Sequence, residues 1–496
     1  MSAVKRVSCG LVFMFLSTGC TAYVRSLPKA DVTSSCPPLQ ESQASGDVLV
    51  GVALSGGGSR AAVFGAGGLK ALATLRVGRE DRSLLEQVSY ISSVSGGSFA
   101  ATYFAMHKPK RQHPVLTESD TLTKEYHDFF CKYEEAMSQN FEWSTEWRQF
   151  VKPHRWLNPS YRATSLAEAL DDHRFLNHKT LNDLYEREEK GDSPRLIINS
   201  TLYNNGRRFV ITTLPEQAFD PNFREKIKKE FSVPMPRELE QALERLAPMS
   251  FCSGAIGADW RGVPLSDAVV ASASFPPLIG PITAQVQGSK DKDSYWHVGD
   301  GGLFDNQGTE SLVQVMLKRL EGGTAKRALI VALDSSYPFA VGNDQLAQNP
   351  KGFEVFIDDP GRIVGIMEER AMMYQALLWN ILRSKKMEGS VLPDYDTIQV
   401  TVLRHTDAEW SEEDLKGLPE ACRIEAKCRP ASDGGRDLAD ACRVETRWDV
   451  DKIKQHIAEI PTRLEITECD KHLLLKAAAK VVIQKRGEIE QFLRAR

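Results

Sequence analysis

A continuous apolar run, Val48-Leu49-Val50-Gly51-Val52-Ala53-Leu54, breaks abruptly into Ser55-Gly56-Gly57-Gly58-Ser59-Arg60. The run is long enough for a strand buried on both faces and too short for a helix. The glycines permit a turn that other residues cannot make, and 61–75 then reads as a small-residue helix able to pack close to a sheet. The pattern recurs at once. Residues 88–94 form a second strand candidate, Ser95-Gly96-Gly97 the turn, and 98–105 the helix. Two successive strand–turn–helix units predict an α/β fold, with a mainly parallel sheet and helices on its faces.

Further along, 196–202 and 208–213 flank Asn204-Asn205-Gly206, a hairpin signal. A short strand at 295–298 leads into Gly299-Asp300-Gly301-Gly302, a helix is expected at 309–320, and 328–333 reads as a buried strand ending at Asp334. The polar, helix-patterned stretches 110–191 and 215–259 read as insertions in one domain, the first dotted with Trp143, Trp147 and Trp156. A closing amphipathic helix is expected over 464–493. No internal repeat is visible.

Composition narrows the class. With 496 residues, 42% hydrophobic and 26% charged, the chain is neither disordered nor fibrous. Its 62 basic and 66 acidic residues give a net charge of −4, so no global basic field exists to hold nucleic acid. No apolar run reaches the ~18–20 residues that span a bilayer. Lys5 and Arg6 precede an apolar stretch at 7–16, which marks 1–19 as a secretory signal. Ser17-Thr18-Gly19-Cys20 resembles the lipobox of bacterial lipoproteins, in which the cysteine is lipidated. The aliphatic residue usual three places before the cysteine is here Ser17, with Leu16 one place earlier. The competing reading is an ordinary secretory signal with a chance cysteine. Residues 20–46, rich in Ser, Pro and Gln, have tether composition. The expectation is an exported protein anchored to a bacterial membrane, in the periplasm or at the outer membrane.

Cys9 leaves with the signal and Cys20 would be acylated, leaving Cys36, Cys131, Cys252, Cys422, Cys428, Cys442 and Cys469. An odd number leaves at least one thiol free or paired outside the chain. The four between 422 and 469 are the best candidates for local bridges. Zinc is the competing reading, but no CxxC occurs and the Cys422 to Cys428 spacing is too wide for a usual ligand pair. No metal site is therefore expected.

Three loops carry chemistry. Glycines between a strand and a helix gather backbone N–H groups at a positive helix end, a nest for a phosphate or for the oxyanion of an acyl intermediate. A phosphate-binding P-loop would end in Gly-Lys-Ser/Thr, where this chain has Ser59-Arg60-Ala61, and a dinucleotide loop would need glycine where Ala61 stands. A purely structural turn is the plain alternative. Ser93-Val94-Ser95-Gly96-Gly97 is a variant of the G-x-S-x-G nucleophile elbow. Ser92, Ser93 and Ser98 lie nearby, but Ser95 alone is followed by glycines at a helix start. A serine nucleophile needs a base. His405, His456 and His472 lie downstream without a recognisable catalytic turn, and His297 reads as a strand residue. Asp300, enclosed by glycines, could instead approach the hydroxyl directly, although such a tripeptide is usually only a turn.

Taken in order, Gly56-Gly57-Gly58-Ser59-Arg60, the Ser95 elbow and Asp300-Gly301-Gly302 resemble the patatin-like phospholipases over residues 48–335. Ala268-Val269-Val270-Ala271-Ser272-Ala273-Ser274-Phe275-Pro276-Pro277 and Leu303-Phe304-Asp305-Asn306 extend the match. The departures are Ser93 for the first elbow glycine and Ala61 after the arginine. The resemblance implies a three-layer α/β/α fold and a serine–aspartate dyad without histidine, hydrolysing phospholipid or neutral-lipid esters. Ser95 would attack the carbonyl and Asp300 would take its proton. Gly56, Gly57 and Gly58, continued by Ser59, would hold the oxyanion, and Arg60 would brace that loop or face a lipid phosphate. Ser93, Gly96 and Gly97 would shape the elbow, and Gly301 and Gly302 the aspartate loop. Membrane lipids would be the substrate, with no metal or organic cofactor. The layout expected is a catalytic domain at 47–335, followed by a mostly helical, cysteine-containing extension at 336–496 packed on it. Two other readings stay open: a lipid-binding lipoprotein without turnover, and a histidine-dependent α/β-hydrolase esterase.

Overall fold

The chain runs β1 (Val24–Leu27), β2 (Val48–Leu54), α1 (Gly58–Ala73), β3 (Val88–Val94) and α2 (Gly96–His107). Four helices follow: α3 (Lys124–Met137), α4 (Phe141–Phe150), α5 (Tyr161–Leu170) and α6 (Leu181–Glu189). Next come β4 (Arg195–Leu202), β5 (Arg207–Thr212), α7 (Leu265–Ala273), β6 (Ile282–Val286), β7 (Trp296–Asp300), α8 (Thr309–Glu321) and β8 (Arg327–Asp334). The last elements are β9 (Ile398–Arg404), α9 (Val450–Glu459) and α10 (Glu468–Arg494). This computed structural model describes residues 24–30, 37, 47–78, 82–155, 158, 160–172, 174–219, 237, 241, 247–251, 256–276, 278–286, 295–336, 397–419, 422, 426–428, 442–444 and 448–495. The signal at 1–19, Cys20, Trp156, Pro277, Cys36, Cys252 and most of the expected insertion at 215–259 lie outside the described residues.

One ten-stranded mixed sheet organises these elements, in the order β1-β6-β7-β4-β3-β2-β8-β9, with β5 and then Met249–Ser250 branching from β4. The strands from β4 through β3, β2 and β8 to β9 are all parallel, while β7 runs antiparallel to both β4 and β6. Central strands buried on both faces alternate between two cores. Val50, Val52 and Leu54 of β2 join Leu329, Val331 and Leu333 of β8 beneath α1, α2 and α10. Leu49 and Ala53 join Ala328, Ile330 and Ala332 under α8. Those two cores are the outer interfaces of an α/β/α sandwich, as the repeated strand–turn–helix units predict. Gly51 fits this plan, because a Cβ there would come within 2.7 Å of Met316 Cε on α8.

Two segments differ from the sequence reading. Val24–Leu27 lies within the expected tether yet forms an edge strand, parallel to β6, and Arg25 pairs with Asp267 at 2.7 Å. Its four residues carry too little pattern to register as a strand alone. The second is β9, which lies beyond the region of resemblance but joins the main sheet beside β8 along its whole length. The chain after residue 335 thus completes the sheet, and α10 packs on α1. Among its cysteines, Cys422 and Cys469 form a disulfide, and Cys428 sits opposite Cys442 in a small antiparallel pair. Cys131 is free and exposed.

Candidate active site

Three strands bring the loops together: β2 and β3, parallel neighbours, and β7, which lies beyond β4 and antiparallel to it, with Asp300 opposite Ser200 just past the level of Val94. β2 ends at Leu54, β3 at Val94 and the antiparallel β7 at Asp300, so their following turns converge. Ser95 follows β3 and caps α2 with φ 50° and ψ −124°, a conformation that non-glycine residues rarely adopt. Such strain lifts the side chain out of the turn, and Ser95 is half-buried where its neighbours are fully buried. Its N–H donates to Ser272 Oγ at 2.8 Å.

Glycine is compulsory around it. A Cβ on Gly96 would stand 1.9 Å from the Gly58 carbonyl oxygen, and one on Gly97 would stand 2.5 Å from that of Ser55. The elbow and the glycine loop are therefore in direct backbone contact. Ser93, the departure from the glycine pattern, is buried and uses its hydroxyl to accept from Ser98 Oγ at 3.0 Å. Beneath the elbow, Asn199 Nδ2 donates to Ser92 Oγ and to the Ser93 carbonyl, and its Oδ1 accepts from Ser311. Sequence reasoning missed Asn199 and Ser311. Neither belongs to a motif, and only their polarity within apolar elements could have singled them out.

In the glycine loop, Gly57 has φ 140° and Gly58 φ 61°, so both need the freedom that glycine gives. The loop's N–H groups divide. Gly56 donates to the Asn306 carbonyl at 2.9 Å, and Ser59 to the Arg463 carbonyl at 2.7 Å. Gly57 and Gly58, at the N-terminus of α1, have no acceptor among the described residues. Of the expected oxyanion donors, those two are open and Gly56 is occupied, because it ties the loop to the turn after the aspartate. The Gly56 backbone still borders the elbow: a Cβ there would lie 3.3 Å from Ser95 Cβ.

Arg60 is turned into the protein. It is 1% exposed, donates from Nε to the Ser335 carbonyl at 3.0 Å and from Nη2 to Thr462 Oγ1 at 3.1 Å, and donates from Nη1 to the Ile460 carbonyl. Of the two roles expected for it, these contacts fit bracing, and two of the partners, Ile460 and Thr462, lie beyond the span of resemblance.

Asp300, at the end of β7, is 2% exposed. Its Oδ1 accepts the Gly302 N–H at 2.7 Å, while Oδ2 is buried without a full hydrogen bond. The Ser95 hydroxyl faces the carboxylate closely enough to stabilise its charge, short of a complete bond. Burial dominates and pushes the carboxyl up to about 7, against the opposing pull of the Gly302 N–H and the Ser95 hydroxyl. The adjacent Tyr203 hydroxyl is pushed up to about 12 by burial and by the Asp300 charge. The Gly301 Cα allows the turn to lie against Asn199, whose carbonyl oxygen would be 2.4 Å from any Cβ there.

Three of the four candidate histidines are engaged elsewhere, and His472 Nε2 is buried without a hydrogen bond. His297 meets Thr283 Oγ1 at 3.0 Å, His456 meets Asp470 Oδ1 at 2.6 Å, and His405 is buried beside Phe64 and Asp334. Burial, reinforced by the Arg60 charge, pushes His405 down to about 3. Among the described residues no histidine hydrogen-bonds to Ser95 or Asp300, and no three His, Cys, Asp or Glu side chains are grouped to share a metal ion. No helix among them is long and apolar enough to cross a membrane.

The family model for Patatin-like phospholipase matches residues 52–313. Among solved structures, human GIVD cytosolic phospholipase A2 is similar at 13% identity with a TM-score of 0.43, over 90% of this chain and 60% of its own length. VipD from Legionella pneumophila is similar at 13% identity and a TM-score of 0.26, over 78% of this chain and 67% of its own. The chain thus spans about 60% of the length of the human phospholipase. No curated protein matches. The matched span covers more than half of the chain and holds all three converging loops, and on that ground the chain belongs to the patatin-like phospholipase family.

Proposed function

We propose that this protein is a serine acyl hydrolase of the phospholipase A or lysophospholipase type, cleaving carboxylic esters of membrane lipids through a Ser95–Asp300 dyad. The observation that carries the reading is the strained Ser95 beside the buried Asp300 carboxylate, whose Oδ2 has no hydrogen-bond partner. Ser95 Oγ attacks the ester carbonyl while its proton passes to Asp300 Oδ2. The Gly57 and Gly58 N–H groups receive the developing oxyanion, a contribution worth ~10²–10³ in turnover per donor in comparable sites. Asp300 then returns the proton to the departing alcohol, leaving an acyl-serine. A water molecule, deprotonated by the same carboxylate, attacks the acyl carbon and frees the fatty acid and Ser95. A carboxyl whose pKa sits at about 7 suits both halves of this cycle, since it can accept and release a proton near neutral pH.

Attachment through Cys20 to a bacterial membrane belongs to the same proposal and would keep the site near its substrate. The test is direct. Purified protein incubated with a mixed lipid extract should release free fatty acids, and a fluorophosphonate should label the wild type but not Ser95→Ala. Fatty-acid release that survives Ser95→Ala would overturn the dyad.

A further inference from the structure

Helix α4 (Phe141–Phe150) turns Phe141 and Thr145 into the protein and presents Trp143, Trp147 and Phe150 outward. The three are 61%, 50% and 62% exposed, and Val151 at the helix end is 47% exposed. Trp143 and Trp147 stack almost parallel at 5.8 Å, and Phe150 continues the stripe 6.2 Å beyond Trp147. Soluble surfaces seldom keep such a row, because each indole in water forgoes the burial that aromatic rings usually obtain.

The helix is tied to the site. Glu142 N–H donates to the Leu464 carbonyl at 3.1 Å, Asn140 Nδ2 reaches Glu465 at 3.1 Å, and the Arg463 carbonyl holds the Ser59 N–H. A single stretch, 463–465, therefore touches both the N-terminus of α4 and the glycine loop. Both acidic side chains on α4 are paired within the protein, Glu142 with Arg463 at 3.8 Å and Glu146 with Arg162 at 3.7 Å, and Arg148 turns back to the Ser144 carbonyl at 3.3 Å. The outward row of Trp143, Trp147 and Phe150 is itself aromatic, with indole N–H groups that suit the headgroup level of a bilayer.

We infer that this face of α4 docks on a phospholipid bilayer and seats the site against its substrate, an inference that rests on the lipid-hydrolase reading above. The occupant is a lipid surface: the stripe is self-stacked along one helix, the glutamates beside it are paired, and through residues 463–465 it is joined to a site proposed to take substrate from membranes. Because aromatic burial drives the contact, zwitterionic vesicles should suffice, and about 1 M salt should not release the protein.

The experiment uses the full chain carrying Cys20→Ala, so that an acyl anchor cannot substitute, with and without Trp143→Ser plus Trp147→Ser. Binding to phosphatidylcholine vesicles is read by co-sedimentation, together with hydrolysis of vesicle phospholipid and of a monomeric short-chain ester. Loss of both indoles should weaken vesicle binding and vesicle hydrolysis about tenfold or more, with the monomeric ester rate kept within about twofold. Unchanged vesicle binding overturns the inference. So does an equal loss on both substrates with an intact circular dichroism spectrum, which would make the helix a prop for the site. A wild-type dimer that becomes monomeric on substitution, with vesicle hydrolysis unaffected, would assign the stripe to a second copy of the chain. Vesicle binding through the indoles without turnover of either ester would sink the hydrolase reading and leave the docking surface standing.

Discussion

Arg60 Nε donates to the Ser335 carbonyl at 3.0 Å, joining the start of α1 to the residue that follows β8. The same guanidinium reaches Ile460 and Thr462, so one side chain fastens the glycine loop to two distant segments. Arg60→Ala should lower turnover by about tenfold or more with little change in KM, since the loop acts when charge develops on the substrate. It should also lower the melting temperature, because each acceptor left buried and bare costs about 1–3 kcal/mol. Lysine should restore activity only in part, since its donors share one nitrogen where the planar fork spreads them to three separate acceptors. Wild-type kinetics in the alanine variant would remove Arg60 from the site's scaffold.

Groups that act as a unit are strongly non-additive. Ser95→Ala, Asp300→Asn and the double variant should therefore fall to a similar residual ester-hydrolysis rate. Fluorophosphonate labelling of Asp300→Asn should be slow rather than absent, since its hydroxyl survives without a base. Histidine-to-alanine variants at 297, 405, 456 and 472 should each keep substantial activity in single-turnover assays. A dead histidine variant beside an active Asp300→Asn would hand the base role to that histidine.

Asp300 also sets a pH dependence whose sign can be worked out. The base must be ionised, and burial holds its pKa at about 7, so kcat/KM should rise with pH and level off above about 7. Stability should run the other way. The native carboxyl binds its proton more tightly than the unfolded one, whose value is the ordinary 3.8, so its contribution is complete below that value and is lost as pH rises through about 7. Keeping the anion buried costs roughly 4 kcal/mol at most. Asp300→Asn keeps the acceptor for Gly302 and removes the charge, so its melting temperature should gain on the wild type between pH 4 and pH 8. Parallel melting curves across that range would refute the buried-base account.

The Cys20 expectation predicts a lipidated mature protein in the membrane fraction. Cys20→Ala should lose acyl label and become soluble on fractionation, and retained label would exclude the lipobox. Stable anchoring takes more than a single acyl chain, so a partial shift to the soluble fraction would indicate incomplete modification.

The elements read most closely from sequence were those whose pattern is local. A strand buried on both faces is a bare apolar run, and β3 runs over Val88–Val94 as its residues suggest. The helices begin earlier than the 61 and 98 their residues suggest, at Gly58 and Gly96, because glycines resemble a loop even where their turns belong to helices. The nucleophile elbow and aspartate loop were legible since close backbone approach leaves glycine no substitute. Arg60's partners, Asn306's hold on Gly56 and the Asn199 network were not, because each joins residues far apart in the chain and no local spacing encodes them. The edge strand β1 was hidden by its brevity, and β9 by its distance from every motif.

β9 also changes what counts as the smallest working protein. A fragment ending at Ser335 would contain all three loops and the whole family-matched span, yet it would leave β8, apolar on both faces, as a bare edge able to recruit other chains. It would strip the Ile460 and Thr462 acceptors from Arg60 and the Arg463 acceptor from Ser59. Carrying the recognisable motifs is therefore separable from carrying a competent site: the motifs all lie before Ser335, while the last third of the chain decides whether the site stands.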